Sequence, residues 1–181
     1  MIKVIAFDFV GVLVREKHIE LKDFEDKLER LFGKNISDEA YLNDASKIYD
    51  GDIISAVKNI IDKLYEEKDP NLFDNIRNNY PNIKIVIATN HVSYVSDYIN
   101  SHFKCDDVVI SADIHKIKPD KDFYEYLLDK YQIKPSELLF LDDNLENVNS
   151  ANILGINTIY VNKDIDINKE INRVLNENWI S

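Results

Sequence analysis

Apolar positions follow two different spacings along the chain, and the switch between them divides it. Residues 2–7 form a short, mostly apolar, β-branched run that ends in Asp8 and is followed by Gly11, the pattern of a buried strand feeding a loop. From about Lys17 the spacing turns helical. Leu21, Phe24, Leu28, Leu31 and Phe32 share one face, with Gly33 as the stop. A weaker helical stretch covers 36–49. Ile53, Ile54, Val57, Ile60, Ile61, Leu64 and Tyr65 then make a strong amphipathic stripe. Asp69-Pro70 opens another helix that reaches Tyr80, just before Pro81. Residues 16–80 therefore predict helix throughout and no strand.

After Pro81 short apolar runs alternate with helical spacing. Strands are predicted at 83–88, 107–110, 138–141 and 156–161. Helices are predicted at 91–103, at 119–131 with Pro119 in the first position, at 145–154 with Gly155 as the stop, and near 168–177. Five apolar strands separated by helices predict an α/β fold: a Rossmann-like parallel five-stranded sheet with helices on both faces. Residues 1–15 and 81–181 would form this core, and 16–80 a small α-helical cap inserted after the first strand.

In such sheets ligands bind beyond the carboxyl ends of the strands, so the residues found there carry the functional argument. Asp8 follows the first strand, Thr89 and Asn90 the second, a loop to Lys118 the third, and Asp142 with Asp143 the fourth. Each also admits a plain structural role. Asp8 can be a turn residue, Thr89 a β-branched strand end, Asn90 a helix cap, and Lys118 an ordinary exposed lysine beside Lys116 and Lys121. Asp142 and Asp143 carry the most information. Two adjacent carboxylates after the run LLFL either start a solvated loop or need a cation, and Mg²⁺ favours one or two carboxylates, water and a substrate phosphate. Asn144 could cap the next helix, and Asn147 could bond back to the loop.

Bulk composition narrows the partners. Of 181 residues, 22 are Lys or Arg and 33 are Asp or Glu, giving a net charge of −11. That balance argues against nucleic acid and against anionic membrane surfaces. An anionic small substrate would need a local cation in its site. The single cysteine, Cys105, excludes an internal disulfide and reads as a small half-buried residue. With no cleavable leader pattern and no apolar run long enough to span a bilayer, a cytoplasmic protein is expected.

The ordered set FDFVGVLV, IVIATN, KPD and LDDNLENV resembles the haloacid dehalogenase superfamily. The likeness covers residues 1–14 and 81–161, and residues 111–161 look most like the branch of sugar-1-phosphate phosphatases and the phosphatase domain of soluble epoxide hydrolases. The resemblance implies a Mg²⁺-dependent hydrolase of a small phosphorylated metabolite. Asp8 would be the nucleophile, forming an aspartyl-phosphate intermediate. Mg²⁺ would be held by Asp8, the backbone carbonyl of Val10 and Asp143, with Asp142 beside it. Thr89, the backbone around Asn90, and Lys118 would hold the phosphoryl group. The family's phosphatases carry a second Asp two residues after the nucleophile as general acid and base. Here that position is Val10, which cannot move a proton.

Val10 keeps a second class of function open, a catalytically impaired phosphometabolite- or partner-binding protein. A metal-free 2-haloacid dehalogenase would leave Asp142 and Asp143 without a cation. A receiver domain would place its acidic pair and Lys-Pro in the opposite order. Arg15, His18, Tyr41 and Tyr49 are candidates to face the pocket from the cap or to be ordinary surface and packing residues. His91 and His115, beside the motif positions, could supply the missing proton or be exposed loop histidines.

Overall fold

The computed structural model describes residues 1–177. The first strand, β1 (Val4–Phe7), is followed by the short β2 (Val14–Glu16) and by helices α1 (Asp23–Glu29), α2 (Asp38–Ala45) and α3 (Ile53–Leu64). Strand β3 (Tyr65–Glu67), helix α4 (Leu72–Asn79), β4 (Lys84–Thr89), α5 (Ser96–His102), β5 (Asp107–Ile110) and the short α6 (Ser111–Ile114) come next. The chain continues through α7 (Lys121–Tyr131), β6 (Leu138–Asp142), α8 (Leu145–Ile153), β7 (Asn157–Tyr160) and α9 (Ile167–Glu177).

The five expected strands form one sheet in the order β5-β4-β1-β6-β7, and every pairing in it is parallel. Burial on both faces explains the near-continuous apolar runs. Side chains alternate between two cores. Ile5, Phe7, Ile85, Ile87, Leu139 and Leu141 face one side, where they join residues of α3, α4, α5 and α9. Val4, Ala6, Val86, Ala88, Leu138 and Phe140 face the other, against Phe123, Tyr124 and Leu127 of α7 and Ala151 of α8.

Local chemistry sets several helix starts. Ser37 accepts from the Ala40 amide, Asp52 from the Ser55 amide and Asn144 from the Glu146 amide, which caps α2, α3 and α8. Several helices are also shorter than expected. The stretch predicted at 36–49 begins only after Ser37 and ends at Ala45. The helix predicted from 91 is a single tight turn at Ser93–Val95 and then α5. Pro119 does not begin α7. It follows a cis peptide bond to Lys118, and the helix starts at Lys121.

The expectation of unbroken helix over 16–80 is corrected in one place. Strands β2 and β3 pair antiparallel, with Val14 opposite Glu67 and Glu16 opposite Tyr65, so a two-stranded ribbon carries the chain into and out of the helical segment. Three polar-rich residues per strand are too few to register as a period-2 pattern. The last helix of that segment, α4, packs on the sheet, with the Phe73 ring 5.3 Å from Phe7 and 5.9 Å from Phe103. The return to the sheet thus begins before Pro81. Among the described residues, no helix is long and apolar enough to cross a membrane.

Sheet register brings the motif residues to one level. Phe7 stands opposite Ile87 on one side and Leu141 on the other. One step further along, Asp8, Ala88 and Asp142 emerge together at the carboxyl edge, and the Asp8 amide donates to the Leu141 carbonyl at 2.8 Å.

Candidate active site

Asp8 and Asp142 end neighbouring strands, and Lys118 fits between them. Its ammonium Nζ lies 2.8 Å from Asp8 Oδ1 and 2.8 Å from Asp142 Oδ2, and it donates to the Ala88 carbonyl at 3.1 Å. The ammonium also lies over the rings of Phe140 and Phe123, at 5.3 and 5.9 Å from their centroids. Lys118 is only 4% exposed, so the sequence alternative of an ordinary surface lysine is excluded. Burial alone would lower its pKa, but Asp8 and Asp142 outweigh burial and hold it raised. Asp8 is pulled both ways. Burial pushes its carboxyl up to about 6 against the pull of Lys118, and repulsion from Asp142 adds to the rise.

The two carboxylates of the acidic pair do different things. Asp142 is fully buried and saturated with donors. Asn147 Nδ2 reaches both of its oxygens, at 3.1 and 3.0 Å, and the Asn144 amide donates to Oδ1 at 2.8 Å. Asn147 is itself fixed by Tyr124, whose hydroxyl donates to its carbonyl at 2.9 Å. Asp143 is exposed. Its carboxylate has no hydrogen-bonding side chain from another described residue. Partial burial and the neighbouring Asp142 raise its pKa.

Gly11 makes room for Asp143. Its φ of +83° is costly for any other residue, and a Cβ there would fall 2.0 Å from Asp143 Oδ2. Carboxylate oxygens of Asp8, Asp142 and Asp143 can be chosen that all lie within 4.8 Å of one another. Three carboxylates gathered around one lysine carry surplus negative charge, and this donor set fits a hard divalent cation. Asp143 has free acceptor capacity within reach of Asp8, whereas Asp142 has its oxygens committed.

Thr89 ends β4 next to this group and is buried. Asn90 does not cap a helix, contrary to one sequence alternative. Its amide instead exchanges two hydrogen bonds with the backbone of Lys118: Nδ2 donates to the carbonyl at 2.8 Å, and the Lys118 amide donates to Oδ1 at 2.9 Å. Asn90 therefore positions the lysine across 28 residues of chain.

His91 is not an exposed loop histidine. It is 1% exposed, with the ring of Phe32 at 4.7 Å. Its Nδ1 donates to the Val92 carbonyl at 3.2 Å, which leaves Nε2 to accept from the Tyr65 hydroxyl at 2.9 Å. Burial lowers its pKa to about 4, so the ring stays neutral. His115 is exposed in a left-handed turn after α6.

Three of the four candidate pocket residues are engaged elsewhere. Tyr41 is buried and donates to the Leu28 carbonyl, Tyr49 stacks on Phe24 at 4.5 Å, Arg15 pairs with Glu66 at 2.8 Å, and His18 is exposed. Cys105 is half-buried, as expected. One residue near the site carries no signal in the sequence. Lys68, just past β3, sends its ammonium 2.7 Å from the Gly11 carbonyl.

Among curated proteins, mouse bifunctional epoxide hydrolase 2 is 34% identical over 76 residues, covering 42% of this chain and 13% of the relative. The chain thus spans a small part of that relative's length. Two solved structures match nearly end to end. One, described as a predicted HAD-like family hydrolase from Porphyromonas gingivalis, has a TM-score of 0.73 at 23% identity and covers 97% of this chain and 98% of its own. The other is a HAD family enzyme from Bacteroides thetaiotaomicron in complex with magnesium and inorganic phosphate, with a TM-score of 0.70 at 13% identity, covering 94% and 99%. These likenesses speak to the fold. The family model described as haloacid dehalogenase-like hydrolase matches residues 5–161, the sheet and the carboxylate–lysine cluster together, and the chain belongs to that family.

Proposed function

We propose that the protein is a Mg²⁺-dependent phosphatase that hydrolyses a small phosphate monoester, a sugar phosphate among the candidates, through an aspartyl phosphate on Asp8. One observation carries this reading: Asp8 sits at a strand end 2.8 Å from the buried ammonium of Lys118, with the uncommitted carboxylate of Asp143 beside it.

The residues divide the work as follows. Asp8 offers an oxygen to phosphorus. Lys118 screens the repulsion between that carboxylate and the phosphate, and stabilises charge on the equatorial oxygens. The Thr89 hydroxyl and the backbone around Asn90 bind other phosphoryl oxygens. Asn147 and Asn144 keep Asp142 in place, which in turn holds Lys118. Asp8, Asp143 and the Val10 carbonyl would hold Mg²⁺, with Asp142 behind them. When bound, the ion adds the positive charge that keeps Asp8 ionised and draws the phosphate in. The magnesium and phosphate of the Bacteroides relative support the same ion here. The net charge of −11 supports small phosphorylated metabolites as partners rather than nucleic acid or anionic membranes. The lone cysteine supports a cytoplasmic setting.

Val10 supports a second reading, a phosphometabolite- or partner-binding protein of impaired activity. Its aliphatic side chain is half-buried against the core and offers no proton.

Phosphate release from a panel of monoesters, with and without Mg²⁺, separates the two. The phosphatase requires Mg²⁺ and loses at least about 10³-fold in Asp8→Asn. Unchanged turnover in that variant removes Asp8 as nucleophile, and phosphate-ester binding without turnover favours the second reading.

A further inference from the structure

Breaking a phosphate ester leaves negative charge on the departing oxygen, and this crevice holds little that could protonate it. Among the described residues that bond or pair with Asp8, with the loop after it and with the Asp142–Asp143 turn, none offers an uncommitted carboxyl or imidazolium proton, and the one exposed ammonium, that of Lys68, is a far weaker acid. Lys118 is committed to Asp8, Asp142 and Ala88. Asn147 and Asn144 contribute amides. His91 has both ring nitrogens engaged and is sealed beneath Phe32 and Tyr65. Position 10, two residues past Asp8, is aliphatic and packs against the core.

The rim does hold a charge. Lys68 is pinned at both ends to the loop that carries Asp8. Its amide donates to the Leu13 carbonyl at 2.9 Å and its ammonium to the Gly11 carbonyl at 2.7 Å. The Asp143 carboxylate also packs against Gly11, and Lys68 lies close enough to act on its charge. An exposed ammonium thus stands beside the loop after Asp8, within electrostatic reach of Asp143, and is held there by the chain just past β3 rather than by the sheet.

Building on the phosphatase reading, we propose that the crevice is selective for acyl phosphates, whose leaving group is a carboxylate, and that Lys68 is the rim cation that receives it. In the first step Asp8 forms a bond to phosphorus as the bond from phosphorus to the acyl oxygen breaks. The electron pair stays on that oxygen, which leaves as a carboxylate beside Lys68, and no proton moves. In the second step water attacks phosphorus and Asp8 is expelled, again as a carboxylate from an acyl phosphate. The surplus proton of water goes to phosphate or solvent. Neither departure needs an acid, which makes Val10 compatible with turnover.

The test compares acetyl phosphate with glycerol phosphate at saturating Mg²⁺. Acetyl phosphate is expected to have a kcat/KM at least about 100-fold higher, the typical worth of missing acid catalysis. Val10→Asp should narrow that ratio by raising glycerol phosphate turnover. Lys68→Met should lower kcat for acetyl phosphate about tenfold while Lys68→Arg retains most of it, because a partly exposed charge contributes modestly. A merely structural lysine would slow both substrates alike. Equal rates on the two substrates in the parent, or equal loss on both in Lys68→Met, would overturn the inference while leaving the phosphatase intact. If neither substrate nor any other ester turns over, the phosphatase reading falls as well.

Discussion

The ammonium of Lys118 stands 2.8 Å from Asp142, with the lysine side chain 1% exposed and the aspartate fully enclosed. An ion pair so deep is tolerable only because each partner has further bonds: Lys118 to Asp8 and Ala88, Asp142 to Asn147 and Asn144. The arrangement is therefore one unit, and its members should fail together.

Lys118→Met tests that coupling through stability. Removing the cation leaves Asp142 ionised and buried without its partner, which typically costs about 3–5 kcal/mol. Urea denaturation of parent and variant measures it. A loss below about 1 kcal/mol would mean the pair is far better hydrated than its burial implies.

Gly11→Ala tests the space reserved for Asp143. The added Cβ would meet the carboxylate at 2.0 Å, and the positive φ costs roughly 1–2 kcal/mol for a non-glycine residue. The fold should survive with reduced stability. The Mg²⁺ concentration for half-maximal turnover should rise about 10- to 100-fold, the range seen when groups orienting a metal ligand are disturbed. An unchanged Mg²⁺ response would detach Asp143 from the ion.

His91 gives a pH signature of defined sign. Its pKa is held near 4 in the folded protein, against about 6.5 in an unfolded chain. Above pH 6.5 both states keep the ring neutral. As pH falls from 6.5 toward 4 the unfolded chain takes up the proton first, so the folded state loses stability across that window. The stability advantage of the parent over His91→Gln should shrink by roughly 2–3 kcal/mol between pH 7 and pH 4.5. Comparing the two proteins cancels the carboxylates they share. A constant difference would show that His91 is hydrated and free to titrate.

How legible this was from sequence depended on the range of each interaction. The strands were readable because the three central ones are buried on both faces and the two edge strands keep apolar runs, and Asp8, Lys118 and the acidic pair because strand ends in such sheets converge. Asn147 bonding back to the loop followed from its place one turn into a helix capped by Asn144. The ribbon of β2 and β3 was not readable, since three-residue strands have no measurable period. Nor were Asn90, His91 and Lys68 assigned their roles. Their partners are Lys118, Tyr65 and Gly11, each 26 or more positions away; the first contact joins two loops of the sheet core, and the other two exist only once the helical segment folds over it.

Asp8 as the group that accepts the phosphoryl is the claim on which the rest depends, and trapping the adduct tests it most directly. The Mg²⁺-loaded protein would be acid-quenched during turnover of acetyl phosphate, and its peptides analysed by mass spectrometry. The expected result is a phosphoryl group on the peptide carrying Asp8, absent from Asp8→Asn. Steady turnover with the phosphoryl group on another residue, or with an adduct that persists in Asp8→Asn, would contradict the account.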